Sequence, residues 1–126
     1  MQRASLFVFV ALLPLAAAFS GENNKSSSVL MHKKLEYSQQ ILDGLTREDF
    51  DVIAKNAKIM SVFTELETWS RSALPRYDTQ LKIFRFANQD LIRQAEAKNL
   101  DGVTLAYVQL TLSCVNCHKV VRDPSR

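Results

Sequence analysis

From Val29 onward, apolar residues return every three or four positions, and this spacing limits the fold more tightly than any other feature of the chain. Met31, Leu35, Ser38, Leu42 and Leu45 form one such stripe, along one face of a helix. Ser27 or Ser28 can cap its start, and Gly44 is placed to end it. Thr46 then opens a second helix, with Asp49 three positions on in a weak form of the capping box. Its face is Phe50, Ile53, Ala57, Met60 and Thr64, and it is expected to run to Thr68. The stretch Trp69–Tyr77 (WSRSALPRY) breaks the period, and Pro75 disfavours helix at Leu74. Asp78 offers an N-cap for a third helix carrying Leu81, Phe84, Asn88, Leu91 and Ala95, which Lys98-Asn99 can end. Asp101 caps a fourth, with the stripe Val103, Tyr107, Leu110, Cys114, Cys117 and Val121 and Pro124 just past its end. No segment alternates with period two between turn signals, so strands are not expected. Four amphipathic helices with mostly short connections predict an all-α fold, an antiparallel four-helix bundle over residues 29–126.

The first twenty residues are read as an address and not as part of that fold. Arg3 gives a positive start, Leu6–Leu15 (LFVFVALLPL) is a ten-residue apolar run, and Ala16, Ala17, Ala18 and Ser20 supply small residues for cleavage. That is the layout of a secretory signal peptide, and the run is too short to span a bilayer. Residues 21–28 (GENNKSSS) are small and polar and read as a flexible leader. The expected location is therefore the periplasm or another exported compartment, with no stable membrane insertion after cleavage.

Composition narrows the function. The 126 residues allow one domain. The formal charge of +3, from 16 basic and 13 acidic residues, is too balanced to imply nucleic-acid binding. Two cysteines cannot build a disulfide framework. No nucleophile–base pair or phosphate loop is visible, so hydrolytic or group-transfer catalysis has no apparent machinery.

The chemistry is concentrated at Cys114-Val115-Asn116-Cys117-His118. This is C-x-x-C-H, the attachment signature of c-type haem. Two thiols at this spacing can add to the two vinyl groups of one porphyrin, and the next residue, His118, can reach the iron from one side. Three other readings stay open. The thiols can pair as a disulfide in an oxidising compartment, leaving a haem-free secreted bundle. They can form a thioredoxin-like redox pair, although that motif belongs near a βαβ unit. They can hold zinc with His118, but a fourth ligand is then needed and the other histidine is His32.

A C-x-x-C-H near the C-terminus, on the last helix of a four-helix bundle, resembles the cytochrome c prime superfamily. The likeness extends to Arg122, four positions after His118, where that family commonly carries a basic residue on the proximal side of the haem. The resemblance implies one covalent haem c, with Cys114 and Cys117 as its thioether anchors and His118 as the proximal iron ligand. One branch of the family leaves the iron five-coordinate and binds nitric oxide and carbon monoxide, with an apolar residue of the first helix covering the open face. The other places a methionine of the first helix on the iron and transfers electrons. Met31 stands at the deciding position here and is the candidate distal ligand. Electron transfer with His/Met ligation is thus the leading expectation, nitric oxide or carbon monoxide binding the alternative, and enzymatic catalysis is not expected.

The neighbours of the motif also have simpler roles. Met60 is expected in the core. His32 follows Met31 by one residue and so points about 100° away from it, towards solvent. Tyr107 can bond a haem propionate or simply pack. Arg122 and Lys119 favour the dipole of a helix C-terminus whatever the function. Phe50, Phe63, Phe84 and Phe86 are expected to wall the core and pocket, and Trp69 to close the bundle or mark a contact surface. A redox partner protein is implied but not identified. Bundles of this family often dimerise through their first two helices, for which an exposed stripe of Leu30, Tyr37 and Ile41 would serve.

Overall fold

Helices form where the apolar periods place them, and their ends differ from the expected ones. The computed structural model describes residues 20–71 and 76–123. The helices are α1 (Ser20–Thr46), α2 (Phe50–Arg71), α3 (Tyr77–Glu96) and α4 (Leu100–Arg122). Among the described residues there is no strand. The signal-peptide reading of residues 1–20 lies outside the described residues except at Ser20, as do Leu74, Pro75 and Pro124 and the side chain of Trp69. The leader expected over 21–28 lies in helical backbone: α1 begins at Ser20, before the expected serine cap, in a stretch that contains no proline to stop it.

Two tight connections fold the helices back on one another, and both use the same device. After α1, Glu48 takes the left-handed conformation at φ 54°. Its N–H donates to the Leu45 carbonyl at 3.2 Å, and the Asp49 N–H donates to the Gly44 carbonyl at 2.9 Å. That pair of bonds is a Schellman motif. Asp49 then caps α2 by accepting from the Val52 N–H at 3.1 Å. After α3, Lys98 takes φ 52°. Its N–H donates to Ala95 and that of Asn99 to Gln94, both at 3.0 Å. The Asn99 side chain accepts from the Gly102 N–H at 3.1 Å and so starts α4. The expected ends are corrected accordingly. Gly44 lies inside the last turn of α1, Thr46 ends α1 instead of opening α2, Asn99 caps α4 in place of Asp101, and α3 starts at Tyr77. A residue that both terminates one helix and caps the next needs an acceptor side chain, which Asp49 and Asn99 supply.

The core joins Ile41 of α1, Ile53, Ala57 and Met60 of α2, Phe84 and Leu91 of α3, and Val103, Ala106 and Leu110 of α4. Met60 is buried, as its period predicts. Asn88, also buried, ties α3 to α2 by donating to the Ala57 carbonyl at 2.8 Å and to the Ser61 hydroxyl at 2.9 Å. The face of α1 differs from the expected stripe. Leu35 is 56% exposed and Leu42 48% exposed, while Ile41 is fully buried and Lys34 nearly so. The inward line is Lys34, Tyr37, Ile41 and Leu45, with Tyr37 stacked on Phe63 of α2 at 5.6 Å between centroids. The exposed stripe of Leu30, Tyr37 and Ile41 is therefore overturned: Leu30 and Tyr37 are half-buried and Ile41 is in the core. Phe84 is buried, Phe50 and Phe63 are half-buried, and Phe86 is 68% exposed, so Phe86 walls nothing.

Sequential helices pack along their lengths, whereas α1 and α4 touch at few points. At that fourth seam, the Tyr107 hydroxyl of α4 donates to the Ser38 carbonyl of α1 at 3.1 Å and stands 3.3 Å from the Ser38 hydroxyl. Among the described residues, no helix is long and apolar enough to cross a membrane.

Candidate functional site

The loose seam opens into a cavity of about 470 Å³. That volume falls within the roughly 300–1,000 Å³ of small-molecule and cofactor pockets. α1 lines it with Met31, His32, Lys34, Leu35 and Ser38, and α4 with Tyr107, Leu110, Thr111, Cys114, Cys117 and His118. Met60, Glu67, Leu81 and Phe84 come from α2 and α3.

Helical spacing explains the grouping on α4. Cys114, Cys117 and His118 stand three and four positions apart, so they share one side of the helix. That side also carries Tyr107, Leu110 and Thr111, and it turns towards α1. Both cysteines are half-buried, and His118 is exposed at the cavity's edge. Burial pushes the Cys114 thiol up from its ordinary range, and the positive charge of Lys34 pulls it part of the way back. Met31 is half-buried on the α1 wall. His32 also reaches the rim but is exposed. Arg122 is exposed in the last turn of α4 and does not line the cavity. Among the described residues, no three His, Cys, Asp or Glu side chains gather as a metal cluster.

One feature of the wall has no counterpart in the sequence reading. The Lys34 ammonium donates to the Glu67 carboxylate, and both side chains are almost fully covered. The ammonium also sits over the Phe84 ring, 4.7 Å from its centroid. A signal for this pair was present. Lys34 interrupts the apolar line Leu30, Tyr37, Ile41, and Glu67 continues the line Ala57, Met60, Thr64. A charge at the next step of an apolar period is a buried charge looking for a partner.

No family model matches the chain, and neither a curated protein nor a solved structure matches it.

Proposed function

We propose that the chain is an exported c-type cytochrome that carries one electron at a time on a single haem c. The observation that carries this reading is the meeting of Met31 with Cys114, Cys117 and His118 around one cavity of cofactor size. The donor set suits the group: two thiols and an imidazole on one helix face, and a thioether on the other wall of the seam. Bound haem supplies a one-electron ferric–ferrous couple. Cys114 and Cys117 would hold it by thioether bonds, and His118 and Met31 would be its iron ligands, a pairing that would favour the reduced state. Leu81, Phe84 and Leu110 keep water from the cavity with apolar side chains. Tyr107 has its hydroxyl engaged with Ser38, so its role is to close the seam beside the cofactor and not to bind a propionate. Arg122, exposed at the end of α4, serves the helix dipole.

The test is expression with a c-type haem maturation system. Haem that stays with the polypeptide on a denaturing gel, and is lost in C114A/C117A, is the expected result. The ferrous spectrum should show sharp, separated α and β bands that carbon monoxide leaves unchanged. A broad high-spin spectrum that shifts with carbon monoxide would replace electron transfer with gas binding. Absence of covalent haem would leave the haem-free bundle.

A further inference from the structure

Lys34 lines the cavity with its side chain 9% exposed. Its partner Glu67, 3% exposed, lines the same cavity, as does the Phe84 ring beneath the ammonium. An ammonium has three N–H donors. One goes to Glu67. Leu81, Phe84 and Leu110 line the same cavity, and beside such apolar side chains a hydrogen bond gains strength from the low local polarity. Lys34 lies three residues after Met31 on α1, so both belong to the wall that faces the haem-binding helix. Cys114 of α4 lines the same cavity as Lys34.

We propose that Lys34 is a specificity-determining hydrogen-bond donor on the distal side, selecting iron ligands that carry negative charge on their outer atom over carbon monoxide whenever Met31 is off the iron. The proposal rests on the haem reading above. Glu67 makes the pair neutral overall and aims the ammonium. Selection therefore comes from directed N–H groups at short range and not from net charge, and it should be insensitive to salt. Polarity and hydrogen-bond donors on the distal side are what decide which small ligands a haem protein holds.

The experiment uses full-length holoprotein with the distal position opened by M31A, compared with M31A/K34M/E67L. Removing both partners leaves no buried carboxylate without its lysine. Ferric cyanide affinity, ferrous carbon monoxide affinity and the infrared C–O stretch are measured in each. Cyanide affinity is expected to fall about tenfold or more, the scale of one hydrogen bond to a charged group, with carbon monoxide affinity little changed. The C–O stretch should move to higher wavenumber, because the donor to its oxygen is gone. M31A/K34R, which keeps the donors, should retain the cyanide preference. M31A/E67Q, which removes the carboxylate that aims the ammonium, should bind cyanide less tightly than M31A and decides the matter if the triple variant does not fold. An unchanged cyanide-to-carbon-monoxide ratio with an unmoved C–O stretch overturns the role of Lys34. Failure of the unmutated chain to carry covalent haem overturns the reading beneath it.

Discussion

Gly44→Ala sets two well-characterised effects against each other. Gly44 is helical, in the last turn of α1, and buried against α2. Alanine gains about 1 kcal/mol over glycine in a helix, because glycine loses more backbone freedom on folding. The added Cβ, however, would stand 2.9 Å from Ile53 Cγ1, 3.3 Å from Val52 Cγ1 and 3.4 Å from the Asp49 carbonyl. Ile53 is fully buried and branched at Cβ, so the atom it presents cannot swing away. Asp49 is fixed by its bond to Gly44 and by capping α2. Overpacking of this kind costs about 1–3 kcal/mol, so the net expectation is a loss of about 1 kcal/mol. Urea denaturation followed by helical circular dichroism measures it. With a slope of about 1–3 kcal/mol/M, the midpoint should fall by about 0.5 M at constant slope. Ile53→Ala removes the obstructing atom, so the double variant should lose less stability than the two single variants together. A midpoint that rises in Gly44→Ala would refute the reasoning, since propensity alone would then decide the site.

Three more outcomes follow from the geometry. Lys98→Gly relieves a left-handed residue at φ 52° and should raise stability by about 0.5–1 kcal/mol in the same assay, after the added freedom of the unfolded chain is subtracted. Tyr107→Phe removes the hydroxyl that donates to Ser38 across the α1–α4 seam and should cost about 1 kcal/mol, with faster amide exchange in α1. In haem-free polypeptide the Cys114 thiol titrates above its ordinary range, so the folded state holds that proton more tightly than the unfolded state. The resulting contribution is present below the unfolded thiol pKa and is lost as pH rises through the folded one. Wild-type stability relative to Cys114→Ala should therefore decline through the alkaline range, and a flat difference would contradict it.

α2 and α4 could be read from their apolar periods because every step of each stripe falls on a buried or half-buried residue, from Ile53 to Thr64 and from Val103 to Cys117. α1 could not. Its inward line passes through Lys34, and a lysine is taken as solvent-facing unless a partner is known. The partner, Glu67, is 33 positions away, so only the packing of α1 on α2 reveals it. Leu35 and Leu42 then took the place of Lys34 and Ile41 in the expected stripe. The helix ends were misread for a related reason: Asp49 and Asn99 each serve two helices, and composition alone shows one cap at a time. Cys114, Cys117 and His118 were visible through their short spacing, and Met31 through its place on the first helix. Lys34 is marked in the sequence only as a charge inside an apolar period, and its pairing with Glu67 emerges in three dimensions.

The seam between α1 and α4 joins the two ends of the folding order. Closing it brings together segments separated by most of the described chain, the contact with the largest loop-entropy cost in the bundle. It is also the contact with the least protein surface to offset that cost. A ligand seated in the cavity adds its own faces to both walls and stands in for the missing side chains. On the haem reading proposed above, closing this seam would be the last step of assembly, and the polypeptide without haem should unzip from α1 while the α3–α4 hairpin stays paired. Amide exchange read helix by helix, with and without the cofactor, would show that order directly.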